Sequence, residues 1–246
     1  MTRRVLLLAG TSEARILAGR LWDMPGLRVT ASFAGLTDTP RLTVAETLIG
    51  GFGGVEGLAQ YLARHGFDAL VDATHPFARQ MPWNASAACE RAGVPRLRLI
   101  RPEWPARAGW IGVPDLGEAV AALPQGARAL LTVGRGGIAP FLCRADLRIV
   151  ARSIEPPGPL PPNAIAIRER PPFAHADELA LMSSHRITHL VTKNAGGSGT
   201  AKLDAADALG ISTIMIARPE QPAGGSRAQT VGEAVAWLRD FVGFKP

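Results

Sequence analysis

The stretch Val71-Asp72-Ala73-Thr74-His75-Pro76-Phe77-Ala78 sets a carboxylate, a hydroxyl and an imidazole close together, ahead of a proline that limits the backbone. His75 can donate a proton or only a hydrogen bond. Asp72 can act as an acid beside it or as a buried cap for the adjoining loop. These two are the candidate catalytic residues.

A second stretch, Gly10-Thr11-Ser12-Glu13-Ala14-Arg15, follows an apolar run and opens a helix. Helix N-terminal N–H groups and the helix dipole favour a phosphate there, with Arg15 one turn in. The plain alternative is a tight turn at Gly10 and a helix cap at Thr11 or Ser12. The G-x-G-x-x-G dinucleotide fingerprint is absent in its usual form. Further on, Ala31-Ser32-Phe33-Ala34-Gly35 carries no acid for a ribose 2′-hydroxyl. That leaves room for a 2′-phosphate, with Ser32, Thr37 or Arg41 as partners. Gly50-Gly51-Phe52-Gly53-Gly54 is rich enough in glycine to let a ligand approach the backbone closely, at Gly51, Gly53 and Gly54 above all.

The second half repeats the theme. Gly134-Arg135-Gly136-Gly137 can hold an anion with both main chain and side chain. Thr192-Lys193-Asn194-Ala195-Gly196-Gly197 leads through Ser198-Gly199-Thr200-Ala201 to Lys202. The chain has 24 arginines and only three lysines, yet two of those lysines stand here.

These stretches need elements to present them. Val5–Ala9, Leu27–Phe33, Thr47–Ile49, Ala69–Val71 and Arg96–Ile100 read as strands. Helices over Glu13–Trp22, Val55–Arg64 and Ala85–Arg91 alternate with them. In the first helix Ala14, Leu17, Ala18 and Leu21 share one face. Arg101–Gly109 is the expected connection between domains. Strands then recur at Trp110–Val113, Ala129–Val133, Leu147–Ala151, Ile187–Thr192 and Ile211–Ile216. Helices are expected at Leu116–Leu123, Ala174–Ser183, Thr200–Leu209 and Val231–Phe241. The prolines of Glu155–Pro162 exclude regular structure there. This alternation predicts α/β units with mostly parallel sheets, one spanning residues 1–105 and one spanning 106–246. Ligands in such sheets bind at the carboxyl ends of the strands, which is where every stretch above falls.

Composition bounds the rest. The 246 residues carry 47% hydrophobic and 20% charged residues, an ordinary globular balance. No apolar run approaches the roughly 18–20 residues of a membrane span, and no secretory signal is evident. Cys89 and Cys143 are too few for a disulfide framework or a multi-cysteine metal site. A cytoplasmic protein is expected. The formal charge of +6 is spread along the chain rather than clustered. That argues against nucleic acid and for a small polyanionic ligand.

Together the stretches resemble the precorrin-6A reductase family of cobalamin biosynthesis. The resemblance rests on Leu8–Arg15, Val71–Ala78, Thr132-Val133-Gly134-Arg135 and Thr192–Gly197 with Lys202. Departures are Ala9, where members often carry glycine, and Arg170-Pro171-Pro172-Phe173, where a glycine is expected before Pro-Phe. The resemblance implies two Rossmann-like domains with an active-site cleft between them. It also implies an NADPH-dependent reductase that reduces the C18=C19 bond of a corrinoid carrying many carboxylates. No metal is implied. The cofactor would lie on the first domain over Gly10, Thr11, Ser12, Glu13, Arg15, Ser32, Gly35, Thr37, Gly51, Gly53, Gly54 and Thr74. The macrocycle would meet Arg135, Gly136, Lys193, Asn194, Gly196, Gly197 and Lys202. Product handover to other enzymes of the pathway is a further expectation. The alternatives are an NADPH-binding sensor without turnover, or a methyltransferase on a similar sheet.

Overall fold

A computed structural model describes residues 2–33, 44–155 and 157–243. The chain forms two compact units, one of residues 1–102 with 220–246 and one of residues 103–219.

The first unit opens with β1 (Arg3–Ala9), α1 (Ser12–Trp22), β2 (Leu27–Phe33), β3 (Glu46–Ile49), α2 (Gly54–Arg64), β4 (Ala69–Asp72), α3 (Gln80–Ala92) and β5 (Arg96–Leu99). The second unit holds β6 (Trp110–Val113), α4 (Leu116–Ala121), β7 (Arg128–Thr132), α5 (Ala139–Leu142), β8 (Arg148–Ser153), β9 (Ala164–Arg168), α6 (His175–Ser184), β10 (His189–Lys193), α7 (Ala201–Ala208) and β11 (Ser212–Ile216). The chain then returns to the first unit with β12 (Ser226–Ala228) and α8 (Val231–Val242).

This return corrects the expected partition. The second unit does not run to the C-terminus, because β12 pairs in parallel with β5 and buries Ala228. A three-residue strand of Ser, Arg and Ala has no apolar run to betray it. The short helix α5 and the edge strand β9 were not expected either. The prolines before β9 masked its start, while its Ala-Ile-Ala-Ile-Arg sequence pairs along β8.

The first sheet has the order β3-β2-β1-β4-β5-β12 and the second β9-β8-β7-β10-β11-β6, every pairing parallel. The first order reverses at β1/β4 and the second at β7/β10, with β6 added beside β11 at the second sheet's edge. That is the doubly wound arrangement whose ligands sit outside the strand ends at the reversal. Both faces of such a sheet are covered, so its strands are apolar without alternation. In β1, Val5 and Leu7 face α1 and α8, where Leu17, Leu21 and Leu238 are buried. Leu6 and Leu8 face α2 and α3, against Leu58, Leu62 and Ala85. In the second unit Leu130, Val150, Leu190 and Met215 pack on Met182 of α6 and Leu203 of α7. Among the described residues no helix is long and apolar enough to cross a membrane.

Two helical glycines show how local packing constrains the first unit. A Cβ on Gly57 would lie 1.7 Å from the Phe52 carbonyl oxygen, whereas one on Gly19 would meet nothing within 4 Å. Gly57→Ala should therefore destabilise by about 3 kcal/mol through overpacking against backbone. Gly19→Ala should stabilise by about 0.5–1 kcal/mol. Urea unfolding of both variants checks the opposite signs.

Candidate functional site

In the first unit the loops after β1 and β4 meet. The strands are neighbours, with Leu8 opposite Asp72. A Cβ on Gly10 would lie 3.6 Å from both Thr74 Cα and His75 N, at ordinary van der Waals distance, so the two loops lie side by side. Thr11 caps α1. Its hydroxyl accepts from Ala14 N–H at 3.1 Å and donates to the Ala73 carbonyl at 3.0 Å. With its one hydrogen committed, the Thr11 hydroxyl ties the two loops together. Ser12 donates to Glu13 at 3.1 Å, and the Glu13 carboxylate is held by Arg101 at 2.6 Å. Arg15 is exposed.

Asp72 is fully buried and ion-paired with the equally buried Arg98 at 2.7 Å. Its Oδ1 also accepts from Thr74 N–H at 3.0 Å and from the Thr74 hydroxyl at 2.7 Å. Arg98 donates further to the carbonyls of Asp72 (3.3 Å) and Thr74 (3.2 Å) and to Thr74 Oγ1 (3.0 Å). Burial lowers the pKa of Arg98, while the Asp72 charge pulls the other way. An acid that serves a substrate needs an accessible oxygen. Asp72 has none, so the geometry gives it the capping role and corrects the catalytic expectation. His75 is half-buried, and its Nδ1 accepts from Phe77 N–H at 3.2 Å. An accepting Nδ1 places the imidazole proton on Nε2, the neutral tautomer that donates a hydrogen bond.

The glycine-rich loop has a backbone reason for its composition. Gly50, Gly53 and Gly54 have φ of +120°, +79° and +81°, a region that L side chains rarely adopt. Ser32, the penultimate residue of β2, is buried and pairs in register with Leu8 of β1 and Leu48 of β3. Gly35 and Thr37, with Arg41, lie outside the described residues.

In the second unit Arg135 is exposed and paired with Glu155 at 2.9 Å, beside Gly136 in a single 3₁₀ turn. Lys193 ends β10 and Lys202 lies in the first turn of α7, both half-buried. Between them Gly196 and Gly197 adopt φ of +69° and +82°. Asn194 is buried, with its side chain bonded within the unit. Its side-chain oxygen accepts from Trp104 N–H at 2.9 Å, and its amide donates to the Trp104 carbonyl at 3.3 Å and to Glu103 at 3.2 Å. Its substrate-binding role is therefore corrected to that of a clasp on the chain at Glu103-Trp104. Arg218, beyond β11, donates to the carbonyls of Asn194 at 2.8 Å and Ala195 at 3.0 Å.

Sequence reasoning missed Arg98, Arg101, Trp104 and Arg218. One signal was available for the first: Arg96-Leu97-Arg98-Leu99 puts two guanidinium groups in a strand that must be covered on both faces. A buried charge requires partners. Cys89 carries no reactive role, since burial pushes its thiol up to about 12.

Comparison with known proteins places this architecture. The family described as "Precorrin-6x reductase CbiJ/CobK" matches residues 4–239. A protein named Precorrin-6A reductase from Rhodococcus erythropolis is 49% identical over 240 residues, covering 96% of this chain and 97% of the relative. Its counterpart from Rhodobacter capsulatus is 46% identical over 243 residues, with 96% of each chain covered. A solved structure titled "CobK precorrin-6A reductase" superimposes with a TM-score of 0.90 at 45% identity, over 98% of this chain and 97% of that one.

The buried pair yields a stability prediction. Asp72→Asn keeps the shape and one acceptor but leaves Arg98 charged without its counter-ion. Loss of one partner of a buried pair costs about 3–5 kcal/mol. Chemical denaturation should show a loss of that order. A stability equal to the parent protein would show that the Arg98 pair does not hold this loop.

Proposed function

The chain belongs to the precorrin-6x reductase family, and on that premise we propose that NADPH is its reductant, bound by the first unit, with the corrinoid held by loops of the second. The protein is an oxidoreductase of cobalamin biosynthesis, a precorrin-6A reductase.

The observation that carries the cofactor reading is the strand reversal at β1/β4. There the Gly10–Thr11 turn and the Thr74–His75 loop stand side by side. The residues fit a dinucleotide. Gly10 presents no side chain, α1 offers its first-turn amides, and Arg15 projects an exposed guanidinium. Glu13 would repel a phosphate if its charge were uncompensated, and Arg101 compensates it. The absence of an acid from Arg28 to Thr37 favours a 2′-phosphate over a bare ribose hydroxyl.

Bound NADPH supplies the hydride for the C18=C19 bond of the macrocycle. The chain supplies orientation and charge. The Asp72–Arg98 pair fixes the Thr74–His75 main chain, and His75 serves as a hydrogen-bond donor from Nε2. Lys193 and Lys202 meet substrate carboxylates as compact cations, with Gly196 and Gly197 letting the backbone approach. Arg135 joins them by exchanging Glu155 for a substrate carboxylate.

Titration with both cofactors tests the reading directly: NADPH should bind more tightly than NADH, and equal affinities would remove the 2′-phosphate assignment. Arg15→Ala should cost about 1.5–3 kcal/mol of NADPH binding, the value of a charge-assisted hydrogen bond. For His75, Asn keeps an acceptor for Phe77 N–H but cannot titrate. His75→Asn should thus retain single-turnover hydride transfer to better than the roughly 10²–10⁴-fold loss of a missing general acid.

A further inference from the structure

Trp104 was not expected to matter, yet it is buried and four of its groups are committed within the second unit. Its main-chain N–H and carbonyl are clasped by the Asn194 side chain, at 2.9 Å and 3.3 Å. Its indole Nε1 donates to the Gly197 carbonyl at 2.7 Å. Its ring lies under the Lys202 ammonium, 5.1 Å from Nζ to the centroid. Arg218 completes the frame by donating to the Asn194 and Ala195 carbonyls.

The contacts act at both ends of one loop. The indole N–H fixes the Gly197 peptide, where positive φ leaves the main chain free of side-chain restraint. The ring face holds the ammonium of a residue in the first turn of α7. A cation there opposes the helix dipole. An aromatic face supplies a compensating attraction. The ring thereby orients the ammonium end of the lysine.

We propose that Trp104 is a positioning residue for the substrate: it holds Lys202 and the Gly197 peptide in the geometry that receives a carboxylate of the macrocycle. This rests on the reading of Lys202 as a substrate contact. Trp104 acts through Lys202 and does not touch the reacting atoms.

A double-mutant cycle on the full-length enzyme separates the two ideas. Trp104→Phe keeps a ring face and removes the indole N–H. Trp104→Leu removes both. The KM for precorrin-6A should rise about threefold in Trp104→Phe and about tenfold in Trp104→Leu. The KM for NADPH and kcat should stay near the parent values, a split that general loss of structure would not produce. In the Lys202→Ala background, either Trp104 change should add less than twofold, because the group it positions is gone. An unchanged KM in Trp104→Phe and Trp104→Leu overturns the proposal. So does a KM increase that persists in full without Lys202, or a fall in kcat with KM constant. Trp104→Leu removes a large buried side chain, so if it does not fold, Trp104→Phe alone decides. If Lys202→Ala by itself leaves the corrinoid KM unchanged, the underlying assignment of Lys202 fails instead.

Discussion

The loops of this enzyme depend on arginines that grip main-chain carbonyls. A doubly wound sheet ends at its functional edge in turns whose peptide groups have no ladder to join. Buried polar groups left without partners cost free energy, so something must satisfy them. In the first unit Arg98 does this from β5, donating to the Asp72 and Thr74 carbonyls while Asp72 balances its charge. In the second unit Arg218, just beyond β11, donates to the Asn194 and Ala195 carbonyls. Strand β5 is the neighbour of β4, and β11 of β10. Each unit thus applies the same device to the loop on the far side of its strand reversal. The planar guanidinium suits it, because several donors in one fork reach several acceptors at once.

This device explains which parts of the molecule could be read from sequence. Helix α1 was legible residue by residue, since the 3.6-residue period places Ala14, Leu17, Ala18 and Leu21 on the face that the structure buries. Strand β2 has the expected limits, because Leu27–Phe33 is bounded by a turn and carries its own apolar signal. Local periodicity says nothing of a strand held only by tertiary pairing. Ser226–Ala228 has no pattern of its own, and its place beside β5 is set by Arg96, which donates to the Gly224 carbonyl at 2.8 Å. The domain boundary was misread for the same reason.

At the site, residue types were easier to find than their roles. Asp72, Thr74 and His75 do stand together at a strand end, as their spacing suggested. Their orientation depended on Arg98, distant in sequence, which turns Asp72 inward. Asn194 is the same case in the second unit, drawn away from solvent by the main chain of Trp104. Polar residues near a strand end therefore divide into those that touch ligand and those that hold the loop. Only long-range partners tell them apart.

The charge balance has to be reread in that light. A net charge of +6 from 24 arginines suggested a diffuse positive field for a polyanion. Several of those arginines are internally committed instead. Arg98 pairs with Asp72, Arg152 makes a bidentate pair with Glu178, Arg101 holds Glu13, and Arg107 bridges Asp204 and Asp207. Their charge is compensated locally and adds little to the field beyond a Debye length. The division of labour between the two cations then has a physical basis. Arginine, with its rigid fork, is suited to fixed multi-acceptor joints inside the protein. Lysine carries a point charge on a flexible stem, which a fixed contact must orient. An aromatic face can supply that contact, and the Lys202 ammonium lies 5.1 Å from the centre of the Trp104 ring.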